Sequence, residues 1–315
     1  MHRGLYDIRL VDFILSTVNG APGGRALQIR GMRHFDYFRP ASLGEAWDFM
    51  RTTPGARYVA GATDILVKIR NREVRTPALV SLRSIPQLAG IEVREGARIG
   101  ATTTISDIVR HPLLHDRYPL LVAGASKLGS IQIRNAATIG GNLCNCSPCA
   151  DTATPLLALE AKVRLASPGG TRELAIGEFF EGPGRTCAST EEILTDILLP
   201  PPRTAARSVF LKKGRVKMDL AVASVALLME MKGAVCRRAR AAAGSVAPVP
   251  MRLVEVEKLL EGAEVTKDLV KEAARLAMQT VSPITDIRAT EGYRRRIVGV
   301  YVGRAIGRIL GWSQE

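Results

Sequence analysis

Three consecutive prolines, Pro200-Pro201-Pro202, followed by Arg203-Thr204, divide this sequence. Each proline lacks an N–H and fixes its φ, so neither a helix nor a central strand runs through them. The chain therefore reads as two domains, residues 32–205 and 206–315, preceded by a segment 1–31. A length of 315 residues agrees with that division, at roughly 150 residues per domain.

Before the prolines, short helix and strand signals alternate. Ser42 with Glu45 is a capping box and predicts a helix from Leu43 to Arg51. Strands are expected where Phe35 and Tyr37 alternate ahead of Pro40, and at 56–59, 78–80, 90–93, 97–100, 163–166 and 193–199. Residues 65–69 form an apolar segment, 120–125 a helix, and His111-Pro112 a helix start. The opening is a βαβ unit. After the prolines come a strand at 208–212, the apolar stretch 220–231, a strand at 238–243, and two helices, 251–261 and from about 284 to 310. The fold class is α+β, and the second domain closes an antiparallel sheet with helices.

Segment 1–31 carries a Gly20-Ala21-Pro22-Gly23-Gly24-Arg25 break, and its apolar residues 8–18 are flanked or interrupted by Asp7, Arg9 and Asp12. It lacks the charged start and cleavage site of a secretory signal. Strand signals begin directly after Met32, so translation is expected to start there, leaving 1–31 as a loosely attached extension.

No apolar run reaches the roughly 18–20 residues that cross a bilayer; the stretch 220–231 is short and carries Glu230. Of five cysteines, three crowd into Cys144, Cys146 and Cys149, which suits reduced thiols and a cytoplasmic location. The net charge is +14, from 44 Lys+Arg against 30 Asp+Glu. These basic residues form small groups (Lys212-Lys213, Arg237-Arg238, Arg294-Arg295-Arg296) without aromatic interleaving or a DNA-binding spacing, so no nucleic-acid partner is expected. Docking to an acidic protein surface uses the charge better.

Two glycine-bearing turns carry the chemistry. Ala60-Gly61-Ala62-Thr63-Asp64 follows a strand, and Ala137-Thr138-Ile139-Gly140-Gly141-Asn142 has paired glycines. Small residues let backbone N–H groups close around an anion. Neither turn is a Gly-x-Gly-x-x-Gly or a phosphate loop ending in Gly-Lys-Ser/Thr, which disfavours a Rossmann dinucleotide fold or an NTPase. Cys144, Cys146 and Cys149 are spaced to face one metal ion or iron–sulfur cluster. No fourth ligand is placed beside them, so they read as small buried side chains and no metal is assigned. His2, His34, His111 and His115 lack a paired nucleophile, so no catalytic residue is assigned. Anion-cradling turns without proton-transfer groups imply that a bound cofactor carries the chemistry.

From Met32 onward the sequence resembles the FAD-binding medium subunit of the molybdenum hydroxylases, the group of xanthine dehydrogenase, carbon monoxide dehydrogenase and 4-hydroxybenzoyl-CoA reductase. The resemblance rests on Phe35-Asp36-Tyr37-Phe38-Arg39-Pro40 with Ser42, Leu43, Glu45 and Ala46, on the Ala-Gly-Ala-Thr-Asp turn, and on Ile133-Arg134-Asn135 through Thr138-Ile139-Gly140-Gly141-Asn142. Ser147, Pro148, Ala150 and Asp151, then Phe210, Lys212, Gly214 and Arg215, then Asp219-Leu220-Ala221 and 242–250 continue it in order.

The resemblance implies a PCMH-type FAD domain of two subdomains and a C-terminal domain of the carbon monoxide dehydrogenase flavoprotein type. It assigns Ala60, Gly61, Ala62, Thr63, Asp64 and Ile65, with Thr138, Ile139, Gly140, Gly141 and Asn142, to the FAD pyrophosphate. Asp151 resembles the aspartate beside the second turn, Leu128 and Leu194 apolar flavin neighbours, and Lys212 a lysine near the isoalloxazine. Implied partners are a molybdopterin-binding large subunit and an iron–sulfur (2Fe–2S) small subunit, whose electrons pass through FAD to NAD or another acceptor. The alternative is a self-contained FAD-dependent oxidoreductase on the same cofactor fold.

Three departures from the family pattern stand out. Ala62 replaces a second glycine, which requires φ < 0 there. Val216 replaces a second arginine. Cys146 and Cys149 replace small residues, and the cluster insertion of the 4-hydroxybenzoyl-CoA reductase type is not recognisable.

Overall fold

A three-stranded parallel sheet opens the computed structural model, which describes residues 34–203 and 205–312. The chain runs through β1 (Asp36–Phe38), α1 (Leu43–Thr52), β2 (Arg57–Val59), α2 (Ile65–Arg70) and β3 (Ala78–Ser81), with β3 in the middle. The expected capping box starts α1: Ser42 Oγ accepts the Glu45 N–H at 3.2 Å, and Glu45 Oε2 accepts the Ala41 N–H at 2.9 Å. Ala78 and Val80 pack with Ala46 and Ile85, and Leu79 points the other way to Phe35, Val59 and Ile69. That is a strand's period of two, with both faces covered. The expected start at Met32 and the extension 1–31 lie outside the described residues.

The second unit begins with β4 (Ile91–Val93) and β5 (Ala97–Gly100). Six short helices follow: α3 (Ile105–Arg110), α4 (Pro112–Arg117), α5 (Pro119–Ser126), α6 (Ile131–Ala136), α7 (Ile139–Cys144) and α8 (Ala153–Ala158). Pro112 and Pro119 open α4 and α5, where a missing N–H costs nothing. Then come β6 (Lys162–Ser167), β7 (Gly170–Ala175), α9 (Ile176–Phe179), a hairpin of β8 (Phe180–Gly182) and β9 (Arg185–Thr186), and β10 (Ile193–Leu199). The strands order as β4-β5-β10-β6-β7, all antiparallel.

Beyond the prolines, β11 (Ala206–Lys213), β12 (Ala223–Lys232), β13 (Val235–Gly244) and β14 (Met251–Arg252) form a second antiparallel sheet in sequence order. The helices α10 (Val254–Leu260), α11 (Lys267–Thr280) and α12 (Glu291–Leu310) cover it. Phe210, Ala226, Leu228 and Ala242 share one core with residues from 97–199. Their neighbours Leu211, Val225, Leu227, Ala241 and Ala243 pack with the helices. A sheet buried on both faces explains why 220–231 shows no polar alternation.

Three expectations for this region change. Residues 251 and 252 are not helical: they pair with Ala243 and Ala242 at the sheet edge, and α10 begins at Val254. The last helix begins at Glu291, where Thr290 Oγ1 accepts the Tyr293 N–H at 3.3 Å. Pro283 and the turn at Asp286 hold 281–290 out of helical geometry. The amphipathic α11 between them was not anticipated; Thr266 caps it by accepting the Leu269 N–H at 3.2 Å.

Glu160, at φ 54°, ties the part of the chain before the prolines to the sheet after them. Its carboxylate accepts from Arg238 Nη2 at 2.5 Å and Arg240 Nε at 2.7 Å, both on β13. Burial pushes this carboxyl up, but the bonds from Arg240 and Arg238 outweigh it and hold it below its ordinary range. A depressed carboxyl contributes stability above its unfolded pKa that is lost as pH falls. Glu160→Ala, which keeps the same backbone strain, is expected to lose about 1–2 kcal/mol at neutral pH and little in acid, read by urea melts at both.

Candidate cofactor-binding cleft

A cleft of about 550 Å³ opens where the two glycine-bearing loops meet. A Cβ on Gly61 would lie 2.4 Å from the Ala136 carbonyl oxygen and 2.7 Å from Ala137 Cα. Glycine is required there because two backbones touch.

The next residue overturns an expectation: Ala62 has φ 60°, not a negative value. With Gly61 pinned, the chain enters α2 through a left-handed residue, and the Ala62 carbonyl then accepts the Leu66 N–H at 3.2 Å. From Gly61 to Ile65 no backbone N–H donates to another described residue. Left-handed Ala62 leads to Asp64, which is right-handed at φ −103° and ψ −49°. Such an alternation curls consecutive N–H groups into a concavity suited to an anion. Alanine at this φ costs about 1 kcal/mol. Ala62→Gly is accordingly expected to raise stability by about 0.5–1 kcal/mol in a urea melt, with the cleft unchanged.

The second loop works differently from expectation. Its donors are already used: Ile139 N–H bonds to the Thr103 carbonyl at 3.0 Å, Gly140 N–H to Ala101 at 2.8 Å, and Gly141 N–H to Thr138 Oγ1 at 3.1 Å. The chain continues from it into α7. A Cβ on Gly140 would sit 2.6 Å from Ala101 Cβ, so that glycine serves packing rather than a ligand. The loop is a fixed wall, with Thr138, Gly141 and Asn142 on the cleft and Ile139 and Gly140 behind it.

Two residues outside the expected set tie the loops together. Lys68 Nζ donates to Asn145 Oδ1 at 2.7 Å, and Asn145 Nδ2 donates to Asp64 Oδ1 at 3.1 Å. Both line the cleft, and Lys68 brings a cation to it. Their sequence signal is only local: Lys68 stands one helical turn after Asp64, and Asn145 three residues after Asn142. Tyr58, just ahead of the first loop, also lines the cleft with its hydroxyl unpartnered among the described residues. Burial, with a smaller push from Glu191, raises that hydroxyl to about 12.

At the other end, Asp151 Oδ2 meets Lys212 Nζ at 2.6 Å, both side chains 5% exposed. Lys212 also donates to the Lys127 carbonyl at 3.0 Å. Asp151 faces the cleft and Lys212 stands behind it. Burial pushes the Asp151 carboxyl up to about 6, against the opposing pull of Lys212. Its Oδ1 has no donor among the described residues, so a donor is wanted from whatever fills the cleft. Leu128 lines the cleft as expected, whereas Leu194 lies in the core on β10.

Of the three clustered cysteines expected to be buried, only Cys146 is; Cys149 is half-buried, and Cys144 is exposed on the cleft. Cys146 Sγ donates to the Gly182 and Arg185 carbonyls at 3.2 and 3.1 Å, holding the β8–β9 hairpin, and Cys149 Sγ donates to Ala221 at 3.5 Å. Among the described residues no group of three or more His, Cys, Asp or Glu is placed to hold a metal. No helix there is long and apolar enough to cross a membrane.

Comparison with known proteins agrees with this geometry. Residues 33–202 match the FAD binding domain in molybdopterin dehydrogenase, and residues 208–309 the CO dehydrogenase flavoprotein C-terminal domain. The glyceraldehyde dehydrogenase medium chain of Sulfolobus acidocaldarius is 32% identical over 272 residues, covering 86% of this chain and 96% of that one. The xanthine dehydrogenase FAD-binding subunit of Escherichia coli O157:H7 is 31% identical over 274 residues, covering 86% and 94%. The carbon monoxide dehydrogenase structure from Hydrogenophaga pseudoflava superposes with a TM-score of 0.86 at 30% identity, covering 89% of this chain and 98% of the matched one.

Fold and cleft together define a flavoprotein of the oxidoreductase class. The chain belongs to the FAD-binding medium subunits of the carbon monoxide and xanthine dehydrogenase family. The residues present fit FAD: the N–H groups of 61–65 and the Asp151 oxygen, each without a partner among the described residues, and Lys68 suit a pyrophosphate and a hydrogen-bond donor on the cofactor.

Proposed function

We propose that this chain is the electron-relay subunit of a cytoplasmic molybdenum-containing hydroxylase or dehydrogenase complex. It works between a 2Fe–2S small subunit, fed by a molybdopterin-binding large subunit, and an external acceptor such as NAD. The observation that carries this reading is the run of N–H groups from Gly61 to Ile65 in the cleft wall that no described residue accepts. When bound, FAD would supply one- and two-electron redox chemistry. Everything else the chain contributes is placement. The 61–65 concavity and Lys68 would neutralise its pyrophosphate, and Thr138, Gly141 and Asn142 would help to hold it. Leu128 offers apolar contact, and the Asp151–Lys212 pair sets charge beside the cofactor.

The relatives support the partner assignment, being medium chains or FAD subunits of named dehydrogenases. The isolated chain, purified with its FAD, is expected to turn over no organic substrate with an artificial acceptor, and to do so once its partner subunits are restored. Turnover by the isolated chain would replace this reading with a self-contained FAD oxidoreductase.

A further inference from the structure

The β8–β9 hairpin belongs to none of the larger sheets, and Gly184 at its tip lines the cofactor cleft. Only Phe180 with Thr186 and Gly182 with Arg185 are paired in it, and so short a two-stranded ribbon does not hold its shape alone in water. Its base is fixed: Phe180 is buried in the core, and the Cys187 N–H donates to the Phe179 carbonyl at 3.0 Å. Its tip is exposed at Pro183, Gly184 and Arg185. Among the described residues, every hydrogen bond that joins 182–185 to the chain outside the hairpin goes to one residue, Cys146. The Gly184 N–H donates to the Cys146 carbonyl at 3.0 Å, and the thiol proton is shared between the Gly182 and Arg185 carbonyls, at 3.2 and 3.1 Å.

Cys146 follows the end of α7 at φ 46°, a left-handed position that glycine fills most easily. A side chain strains the backbone there, and this one is buried with its sulfur against the hairpin. Its neighbour Asn145 secures the first loop, through Lys68 and Asp64. Residues 145 and 146 thus fasten two separate parts of the cleft wall to the end of one helix.

We infer that the β8–β9 hairpin is a strap that retains the bound cofactor, and that Cys146 is the positioning residue that fastens it. A wall element with an exposed tip and a single point of attachment opens at lower cost than the sheets and helices around it. A thiol is a weak donor, so the strap is held closed lightly, and the release of FAD depends on that attachment.

The test follows the full chain loaded with FAD, wild type against Cys146→Ala, Cys146→Gly and Cys146→Ser. Cys236→Ala, which removes a buried thiol on β13 away from the cleft, is the control. The readouts are the rate of FAD release after dilution, followed by flavin fluorescence, amide exchange at Gly184, and the urea melt of the FAD-free chain. Release is expected to be about fivefold faster in Cys146→Ala and Cys146→Gly, as the loss of about one hydrogen bond implies, with faster exchange at Gly184. Cys146→Gly relieves the left-handed strain that Cys146→Ala keeps, so a rate raised in both does not come from that strain. Cys146→Ser, whose hydroxyl donates to the same carbonyls, is expected to keep the wild-type rate, and Cys236→Ala to lose stability without releasing FAD faster. Wild-type release from both Cys146→Ala and Cys146→Gly overturns the strap. Faster release from Cys146→Ser or Cys236→Ala overturns the positioning role of the thiol, because release would then follow core packing or global stability.

Discussion

Gly61→Ala is expected to strip the chain of FAD. The added Cβ would sit 2.4 Å from a carbonyl oxygen and 2.7 Å from a Cα of the facing loop. Both obstacles are backbone, so no rotamer change relieves them, and the loops must separate. That separation breaks the Lys68–Asn145–Asp64 tie and displaces the N–H groups next to it. An affinity loss of at least about 100-fold, or ~2.7 kcal/mol, is expected in a fluorescence titration of the apo-chain with FAD. Gly177→Ala, away from the cleft, is the contrast, since its Cβ would meet only Leu157 Cδ2, at an ordinary 3.5 Å. If Gly61→Ala held FAD as tightly as wild type, the contact between the loops would not be what shapes the site.

Lys212→Met is expected to destabilise the chain by about 3–5 kcal/mol at pH 8, and far less at pH 5. The folded Asp151 carboxyl titrates at about 6, above the roughly 3.9 of an unfolded aspartate. The native state thus holds this proton more tightly. Its contribution to stability is full below pH 4 and is lost as pH rises through 6, about 3 kcal/mol in all. Removing the lysine leaves the carboxylate buried without a cation, moving its pKa further up and extending the loss to higher pH. Protonation at pH 5 removes the charge and with it most of the penalty. Asp151→Asn/Lys212→Met is expected to flatten the profile. Urea melts at the two pH values decide it: an equal loss at both would mean that the lysine acts by packing.

Much of the local structure was legible in the sequence because its causes are local. Ser42 and Glu45 cap a helix wherever they stand at that spacing, and the Ala60–Asp64 turn announces itself by small residues after a strand. What escaped depends on distant partners. Nothing near Ile139 and Gly140 shows that their N–H groups are taken by Thr103 and Ala101, so a loop that resembles an anion cradle serves as a wall. The left-handed Ala62 comes directly after Gly61, whose backbone lies against residues 136–137, and that contact is distant in sequence. Lys68 and Asn145 meet across 77 positions, and no short motif records such a pair. The stretch 220–231 concealed its strand because both of its faces are buried.

That doubly buried sheet also bears on ancestry. Phe210, Ala226, Leu228 and Ala242 are shaped to one domain, and their alternating neighbours to the helices of the other. A substitution on either face is judged by a different half of the molecule, so neither half drifts freely. Paired, compensating substitutions across the seam are therefore the changes expected to be tolerated best. Exchanging one half between distant relatives would bring together surfaces with separate histories.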